Sequence, residues 1–249
     1  MCWVCLIKYL TGLINFKGEL MRKVILGTEP YTFNEVDCAM ITYNEEDNII
    51  GVIENVYPCV DDIIIIDGKS TDSTVDKIKK FKFGNDKYDK IKLYVNDFFK
   101  NANGILGDQK NLAISKTNSL FTLFIDPDER LCPDLVKDFR KIIRKYQSMD
   151  VINFLRYNYI DGKLEVLDKE FQYRLFKSFN RYVGTSHHEL VGWAHELYVE
   201  LPDKYYMTHN KTTERASKNN NYYDNVVDVK YPHKNNILSR GIQYNVGGE

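Results

Sequence analysis

The chain has 249 residues and a mass of 29.2 kDa, which fits one large domain with short extensions. Its composition, 43% hydrophobic and 28% charged, excludes a disordered, collagen-like or multispanning membrane protein. With 34 basic and 35 acidic residues the formal net charge is −1, so the whole chain has no general attraction for nucleic acid. We expect no nucleic-acid partner.

The five cysteines are odd in number and scattered, which is more typical of a reducing compartment than of a disulfide framework. We therefore predict a cytoplasmic protein. Cys2 and Cys5 form a C-x-x-C pair, but no strand precedes it and no second pair or histidine cluster follows at zinc spacing. Two buried or lipid-facing thiols are favoured over a redox or metal site.

The first 20 residues are apolar but interrupted by Lys8 and Lys17, and their uncharged runs are shorter than the roughly 20 residues that span a bilayer. The basic start and cleavage site of a signal peptide are also missing. As a helix, the segment would align Trp3 with several leucines. Two interpretations of this extension, residues 1–35, stay open: a helix lying on the inner face of a membrane, or a helix packed on the protein or a partner.

Strand and helix patterns alternate in the next hundred residues. Asp37–Thr42 has the pattern of a buried strand, and the four isoleucines Ile63–Ile66 are typical of a parallel strand covered on both faces. Two more strands are predicted at Ile91–Val95 and Leu120–Ile125. Because helical patterns separate these strands, we expect right-handed crossovers and an open α/β sheet.

The helices have recognisable start signals. Asn44 is the expected N-cap of the first helix, whose apolar residues recur on one face. Ser73 and Asp76 form a predicted capping box for the second. Two further helices are predicted over residues 108–116 and 133–146.

Short strands dominate the second half of the pattern. Val151–Tyr157, Phe171–Lys177 and His195–Leu201 are predicted as strands of a mixed or antiparallel part, with a hairpin turn at Asp161-Gly162. A polar helix is predicted over residues 213–224.

Polar residues follow three of the predicted strands, where open α/β sheets bind ligands. Asp67 and Asp126 each end a wholly apolar strand, and a carboxylate there needs a hydrogen-bonded or metal partner. Pro127 favours an extended Asp126, which should turn Asp126 and Asp128 to the same side. Two convergent carboxylates suit a hard divalent cation that also binds phosphate. A helix cap at Asp67 and an ordinary surface turn at D-P-D-E are the alternatives.

Glycine-rich phosphate loops are absent from the sequence, since neither G-x-x-x-x-G-K-[ST] nor a strand followed by G-x-G-x-x-G occurs. This argues against a P-loop enzyme and a typical dinucleotide dehydrogenase. A nucleotide diphosphate held through a metal ion is still compatible with the pattern.

Four motifs in order resemble those of family 2 glycosyltransferases with the GT-A fold: TYNEE, IIIIDGKSTDST, GDQKNLA and LFIDPDE. Further on, RLF, YVGTSHHE and MTHN resemble more loosely the bacterial branch that adds sugars to the lipopolysaccharide core. The resemblance implies an open, mostly parallel Rossmann-like sheet flanked by helices, followed by a mixed or antiparallel part. It also implies metal-dependent, inverting transfer of a sugar from a nucleotide-diphosphate sugar to a hydroxyl of a glycan, lipid-linked or protein acceptor.

The resemblance further implies roles for single residues. Asp128 would bind Mn²⁺ or Mg²⁺, paired with Asp126 and with His209 as a further ligand. The residues expected to contact the nucleotide sugar are Thr42, Asn44, Glu45, Asp67, Lys110 and Asp126.

Glu189 is our choice of the base that deprotonates the acceptor hydroxyl, with His188 beside it. Its loop combines a glycine with two imidazoles and a carboxylate, although ordinary surface residues on a loop would give the same spacing. Glu129 and Glu196 are the competing carboxylates.

Within one catalytic domain, the resemblance assigns residues 36–135 to the nucleotide sugar and 136–229 to the acceptor, and leaves 230–249 as a tail. Two rival functions stay open. One is a degenerate GT-A module that binds carbohydrate or serves a structural role. The other, a sugar nucleotidyltransferase, would need a glycine-rich basic loop where this chain has TYNEE.

Overall fold

Strands and helices alternate in the first half of the protein, as expected from the sequence. In this computed structural model, the described residues are 34–98, 106–165, 170–182, 190–191, 197–215, 217 and 242–243. The elements of the first half are β1 (Val36–Thr42), α1 (Ile49–Val56), β2 (Ile63–Asp67), α2 (Thr74–Asn85), β3 (Ile91–Val95), α3 (Leu106–Ile114) and β4 (Phe121–Phe124).

The second half contains one longer helix and mostly short strands. In chain order they are β5 (Glu129–Leu131), α4 (Pro133–Lys145), β6 (Val151–Ile160), β7 (Lys163–Leu164), β8 (Glu170–Lys177), β9 (Arg181–Tyr182), β10 (Leu190–Val191), β11 (Leu197–Glu200), β12 (Tyr206–Lys211) and β13 (Ile242–Gln243). The predicted N-terminal segment and most of the predicted helix over 213–224 lie outside the described residues.

A mixed sheet joins the two halves, and within the described residues it has eleven strands. Strands β4, β1, β2 and β3 are neighbours and pair in parallel, so their carboxyl ends share one edge. Strand β8 pairs antiparallel with β4 and with β6. The far side of β6 pairs with β11 and β12, and β12 also pairs antiparallel with β5. The predicted mostly parallel sheet with a mixed second part is confirmed.

The core lies on both faces of the parallel strands. All four residues of Ile63–Ile66 are at most 2% exposed, which confirms the prediction of a strand covered on both faces. The predicted apolar face of α1 is confirmed as well, since Ile49, Ile53 and Val56 are fully buried. Burial of this continuous apolar surface is what holds the sheet edge in place.

One predicted helix cap and one predicted capping box are wrong. Helix α1 begins at Ile49 with Asn48 as its N-cap, and Asn44 lies outside the helix with a φ of 55°. Ser73 is the N-cap of α2 but makes no side-chain capping bond, because the carboxylate of Asp72 accepts hydrogen bonds from the backbone and hydroxyl of Thr74 instead.

The predicted hairpin turn at Asp161-Gly162 is confirmed, with φ of 49° and 75° at its two residues. Strands β5 and β12 were not predicted. None of the helices in the described part of the chain has the length and apolar character that a bilayer crossing requires.

Candidate donor and metal site

Asp67 organises the carboxyl end of β2. It is fully buried and pairs in register with Thr42, whose hydroxyl donates to the Asp67 carboxylate at 3.0 Å. The hydroxyl of Ser70 donates at 2.6 Å, and the backbone N–H groups of Lys69 and Ser70 donate at 3.0 and 2.9 Å. Four donors compensate for the burial of this carboxylate and fix its orientation.

Asn44 ties the loop after β1 to the loop after β2. Its backbone N–H donates to the Ser70 hydroxyl at 2.9 Å, and its side-chain oxygen accepts from the backbone of Thr71 at 2.8 Å. The left-handed backbone of Asn44 is one that asparagine tolerates better than most residues. This cross-link between loops takes the place of the predicted helix cap.

Glu45 is buried and paired with a residue that the sequence interpretation missed. Both terminal nitrogens of Arg215 donate to the Glu45 carboxylate, and Asn48 donates to it at 3.1 Å. The Nε of Arg215 lies 3.7 Å from Oδ2 of Asp128. Arg215 therefore links the loop after β1 to the loop after β4. No motif in the sequence signalled this contact, because 170 residues separate its partners Glu45 and Arg215.

Gly68 follows Asp67 at a position where a side chain has little room. A methyl group there would lie 3.2 Å from the Thr42 carbonyl oxygen and 3.2 Å from Cβ of Phe98. We predict that Gly68→Ala lowers the free energy of unfolding by about 1–3 kcal/mol and weakens ligand binding at this loop. Gly84→Ala is the matched control, because open space surrounds Gly84 within α2 and alanine should stabilise the helix by about 1 kcal/mol.

Urea unfolding of the two glycine variants measures both effects. Midpoints that shift in the same direction would contradict a steric requirement for glycine at position 68.

Lys110 is buried within a largely aromatic environment. It is 1% exposed, and its Nζ lies 4.9 Å from the ring centroids of both Phe124 and Tyr182. Burial lowers the pKa of Lys110 to about 8, against the opposing effect of the Asp126 charge. Its predicted contact with the nucleotide sugar stays a prediction.

Asp126 and Glu129 share one arginine. Nη2 of Arg174 lies 2.6 Å from Oδ2 of Asp126 and 2.5 Å from Oε1 of Glu129. Oε2 of Glu129 accepts from the backbone N–H of Asp126 at 2.9 Å, and Glu129 is fully buried. Because Glu129 is enclosed and both its oxygens are occupied, it cannot reach an acceptor hydroxyl, and it is excluded as the base.

Asp128 precedes β5, and its side chain lies beside that of His209 on β12. Strand β12 pairs with β5 and β6 and sets His209 beside Glu129 and Asn158 in register. Nε2 of His209 lies 3.4 Å from Oδ2 of Asp128, and both residues are buried. The structure therefore brings together two of the three predicted metal ligands.

Asn158 determines which ring nitrogen of His209 carries the proton. Its Nδ2 donates to Glu170 at 3.1 Å, so its Oδ1 faces Nδ1 of His209 at 3.0 Å and accepts the ring proton. Nε2 is left as an acceptor opposite the Asp128 carboxylate. Two acceptor atoms face each other favourably only with a cation between them, either a proton or a metal ion.

A divalent ion fits this pair. Two ligands each about 2.1–2.2 Å from one ion, at roughly right angles, are about 3 Å apart. The observed 3.4 Å is close to that separation. No group of three or more metal-binding side chains forms among the described residues. Asp126, the third predicted ligand, contacts Arg174 instead. Two protein ligands would leave the remaining positions to ligand oxygens and water.

The predicted catalytic residues Glu189 and His188, and the competing Glu196, lie outside the described residues. Their assignment stays a prediction.

Comparisons with known proteins agree with this architecture. The solved structure of Staphylococcus aureus TarS aligns with a TM-score of 0.52 and 14% identity, covering 74% of this chain and 38% of that one. The TarS 1-349 complex with UDP-GlcNAc aligns with a TM-score of 0.52 and 16% identity, covering 71% of this chain and 58% of that one. The predicted GT-A fold is confirmed.

Sequence comparison also identifies TarS as a relative. The poly(ribitol-phosphate) beta-N-acetylglucosaminyltransferase TarS of S. aureus strain Mu50 is 26% identical over 112 residues, which are 43% of this chain. The chain spans only 18% of that relative's length. The model of glycosyl transferase family 2 matches residues 37–195, more than half of the 249 residues. The chain belongs to glycosyl transferase family 2.

Proposed function

We propose that the protein transfers a sugar from a nucleotide-diphosphate sugar to a hydroxyl acceptor, with a divalent metal ion and with inversion at the anomeric carbon. The observation that carries this proposal is the link made by Arg215, which contacts Glu45 after β1 and Asp128 after β4. Asn44 joins the loop after β1 to the loop that carries Asp67, so that loop and the pair of Asp128 and His209 belong to one sheet edge. A nucleotide diphosphate has a nucleoside end that would bind the loops after β1 and β2, and a diphosphate end that would lie at Asp128 and His209.

Residues after β1 and β2 would hold the nucleoside end. The Asp67 carboxylate is oriented by four donors, and Asn44 locks the two loops against each other. A site fixed before binding loses little conformational entropy when the ligand arrives. This rigidity would give a ribose or a base a preformed surface, to which the fully buried Asp67 would contribute by fixing the shape of the loop.

Asp128 and His209 would hold the metal ion, with Asn158 keeping the His209 ring in the ligating tautomer. When bound, the ion would stabilise the negative charge on the leaving diphosphate. The inverting step would form a bond from the acceptor oxygen to the anomeric carbon and break the bond to the diphosphate. A carboxylate, proposed as Glu189, would take the hydroxyl proton.

The choice of donor follows from the relatives. TarS is named as an N-acetylglucosaminyltransferase and has been solved with UDP-GlcNAc. We propose a uridine-diphosphate sugar as the first donor to test. The acceptor as a glycan, a lipid-linked or a protein hydroxyl, the lipopolysaccharide-core branch, the cytoplasmic location and the peripheral membrane association all stay predictions.

A donor screen tests the proposed function. The full chain is unfolded thermally with uridine- and guanosine-diphosphate sugars in Mn²⁺ or Mg²⁺, and release of the nucleoside diphosphate is followed in parallel. A donor at about 100 times its Kd should stabilise the protein by about 2.7 kcal/mol and be slowly hydrolysed. Stabilisation without any turnover would favour the degenerate binding module, and no stabilisation by any nucleotide sugar would contradict the proposal.

A further inference from the structure

We infer that Arg174 is a positioning residue for the donor, which it serves by fixing Asp126. This inference rests on the proposed function. Arg174 lies on β8 (Glu170–Lys177), the antiparallel neighbour of β4, and is 5% exposed. It reaches from the second half of the sheet to the turn that follows the parallel strands.

The contacts around Arg174 form a closed ring. Nη2 of Arg174 contacts the Asp126 carboxylate at 2.6 Å and the Glu129 carboxylate at 2.5 Å. Glu129 closes the ring by accepting from the backbone N–H of Asp126 at 2.9 Å. Both the main chain and the side chain of Asp126 are therefore held. A turn that only needed to reverse the chain would not require the side-chain contact.

Charges explain why an arginine occupies this place. Glu129 is fully buried, and burial raises its pKa while the Arg174 charge opposes that shift. Burial likewise disfavours the charge of Arg174, but Asp126 and Glu129 outweigh it and raise the pKa of Arg174 well above its usual value. Both contacts come from the single nitrogen Nη2, which lies one bond further from the backbone than the Nζ of a lysine would.

Asp126 is the member of this ring that a ligand can reach. Its side chain is 27% exposed, whereas those of Glu129 and Arg174 are 0% and 7% exposed. A ligand that contacts Asp126 would thus meet a carboxylate whose direction is already set. Loss of that direction should weaken donor binding, because the carboxylate would then have to be ordered when the ligand binds.

Lysine at position 174 is the informative substitution. It keeps a buried positive charge near Glu129, which protects the fold, but its shorter side chain cannot place a nitrogen where Nη2 holds both carboxylates. We expect Arg174→Lys to raise the donor Kd and KM about tenfold with a smaller change in kcat. Arg140 offers a matched control, because it contacts Asp61 and Glu35 at the opposite end of β1. Arg140→Lys should leave donor affinity unchanged.

A double-mutant cycle separates positioning from general stability. Donor binding is measured by calorimetry for the wild type, Arg174→Lys, Asp126→Asn and the double variant, with the Tm of each. If Arg174 acts through Asp126, Arg174→Lys changes donor Kd less than twofold in the Asp126→Asn background. Independent, multiplying effects would overturn the inference, as would an Arg174→Lys protein with wild-type affinity.

A second variant keeps the inference testable if the Arg174→Lys protein does not fold. Arg174→Gln combined with Glu129→Gln removes both buried charges and the guanidinium contact to Asp126, and it should show the same tenfold loss, again absent with Asp126→Asn. If the wild type bound no nucleotide sugar at all, the proposed function would fail and the inference with it. Wild-type binding with an additive cycle would overturn the role of Arg174 alone.

Discussion

Asp128→Asn should abolish the metal-dependent part of uridine or guanosine diphosphate binding. The substitution keeps the size of the side chain but removes the charge that faces Nε2 of His209 at 3.4 Å. Calorimetry with Mn²⁺, with Mg²⁺ and with excess chelator measures the effect. His209→Ala should act in the same way, and Asn158→Leu should weaken metal-dependent binding about 10- to 100-fold because it releases the ring.

Asp134→Asn is the control for loss of a negative charge, because Asp134 is an exposed residue in the first turn of α4. It should leave both the metal-dependent and the metal-independent binding of the nucleoside diphosphate unchanged. Wild-type affinity that is the same in chelator and in Mn²⁺ would exclude the metal role of Asp128 and His209.

Glu189→Gln should lower the rate of transfer by about 10²- to 10⁴-fold while leaving donor and metal binding nearly intact. The change removes a proton acceptor without altering the shape of the side chain much. Transfer at saturating donor is the measurement. His188→Ala should reduce the rate less if the imidazole only orients Glu189, and more if the imidazole is itself the base.

Glu196→Gln is the matched comparison, since Glu196 is the remaining competing carboxylate after the burial of Glu129. A Glu189→Gln protein within threefold of the wild type would mean that the base is another residue.

The sheet could be predicted from sequence because its signal is local. Ile63–Ile66 is a continuous run of β-branched residues, and only a strand covered on both faces accommodates such a run. The predicted bounds of β3 match the structure, whereas most other strand boundaries differ by one to three residues. Strand β12 was missed because its buried positions, Met207 and His209, alternate with half-buried or polar residues and carry little apolar signal.

The site was predicted only in part, because its contacts join distant residues. The positions of Asp67 and Asp128 followed from strand ends. Their partners did not: 48 residues separate Arg174 from Asp126, and 51 separate His209 from Asn158. Asn44 was misassigned for the same reason, since its role depends on Ser70 and Thr71 in another loop.

A crystal structure with uridine diphosphate and Mn²⁺ tests the central claim most directly. We expect an anomalous manganese peak within about 2.5 Å of Asp128 and His209, with oxygens of the diphosphate completing its coordination. The nucleoside should lie against the loops that follow β1 and β2, whose shape the buried Asp67 fixes. A nucleotide bound elsewhere, or bound at this edge with the manganese away from both Asp128 and His209, would contradict the proposed site.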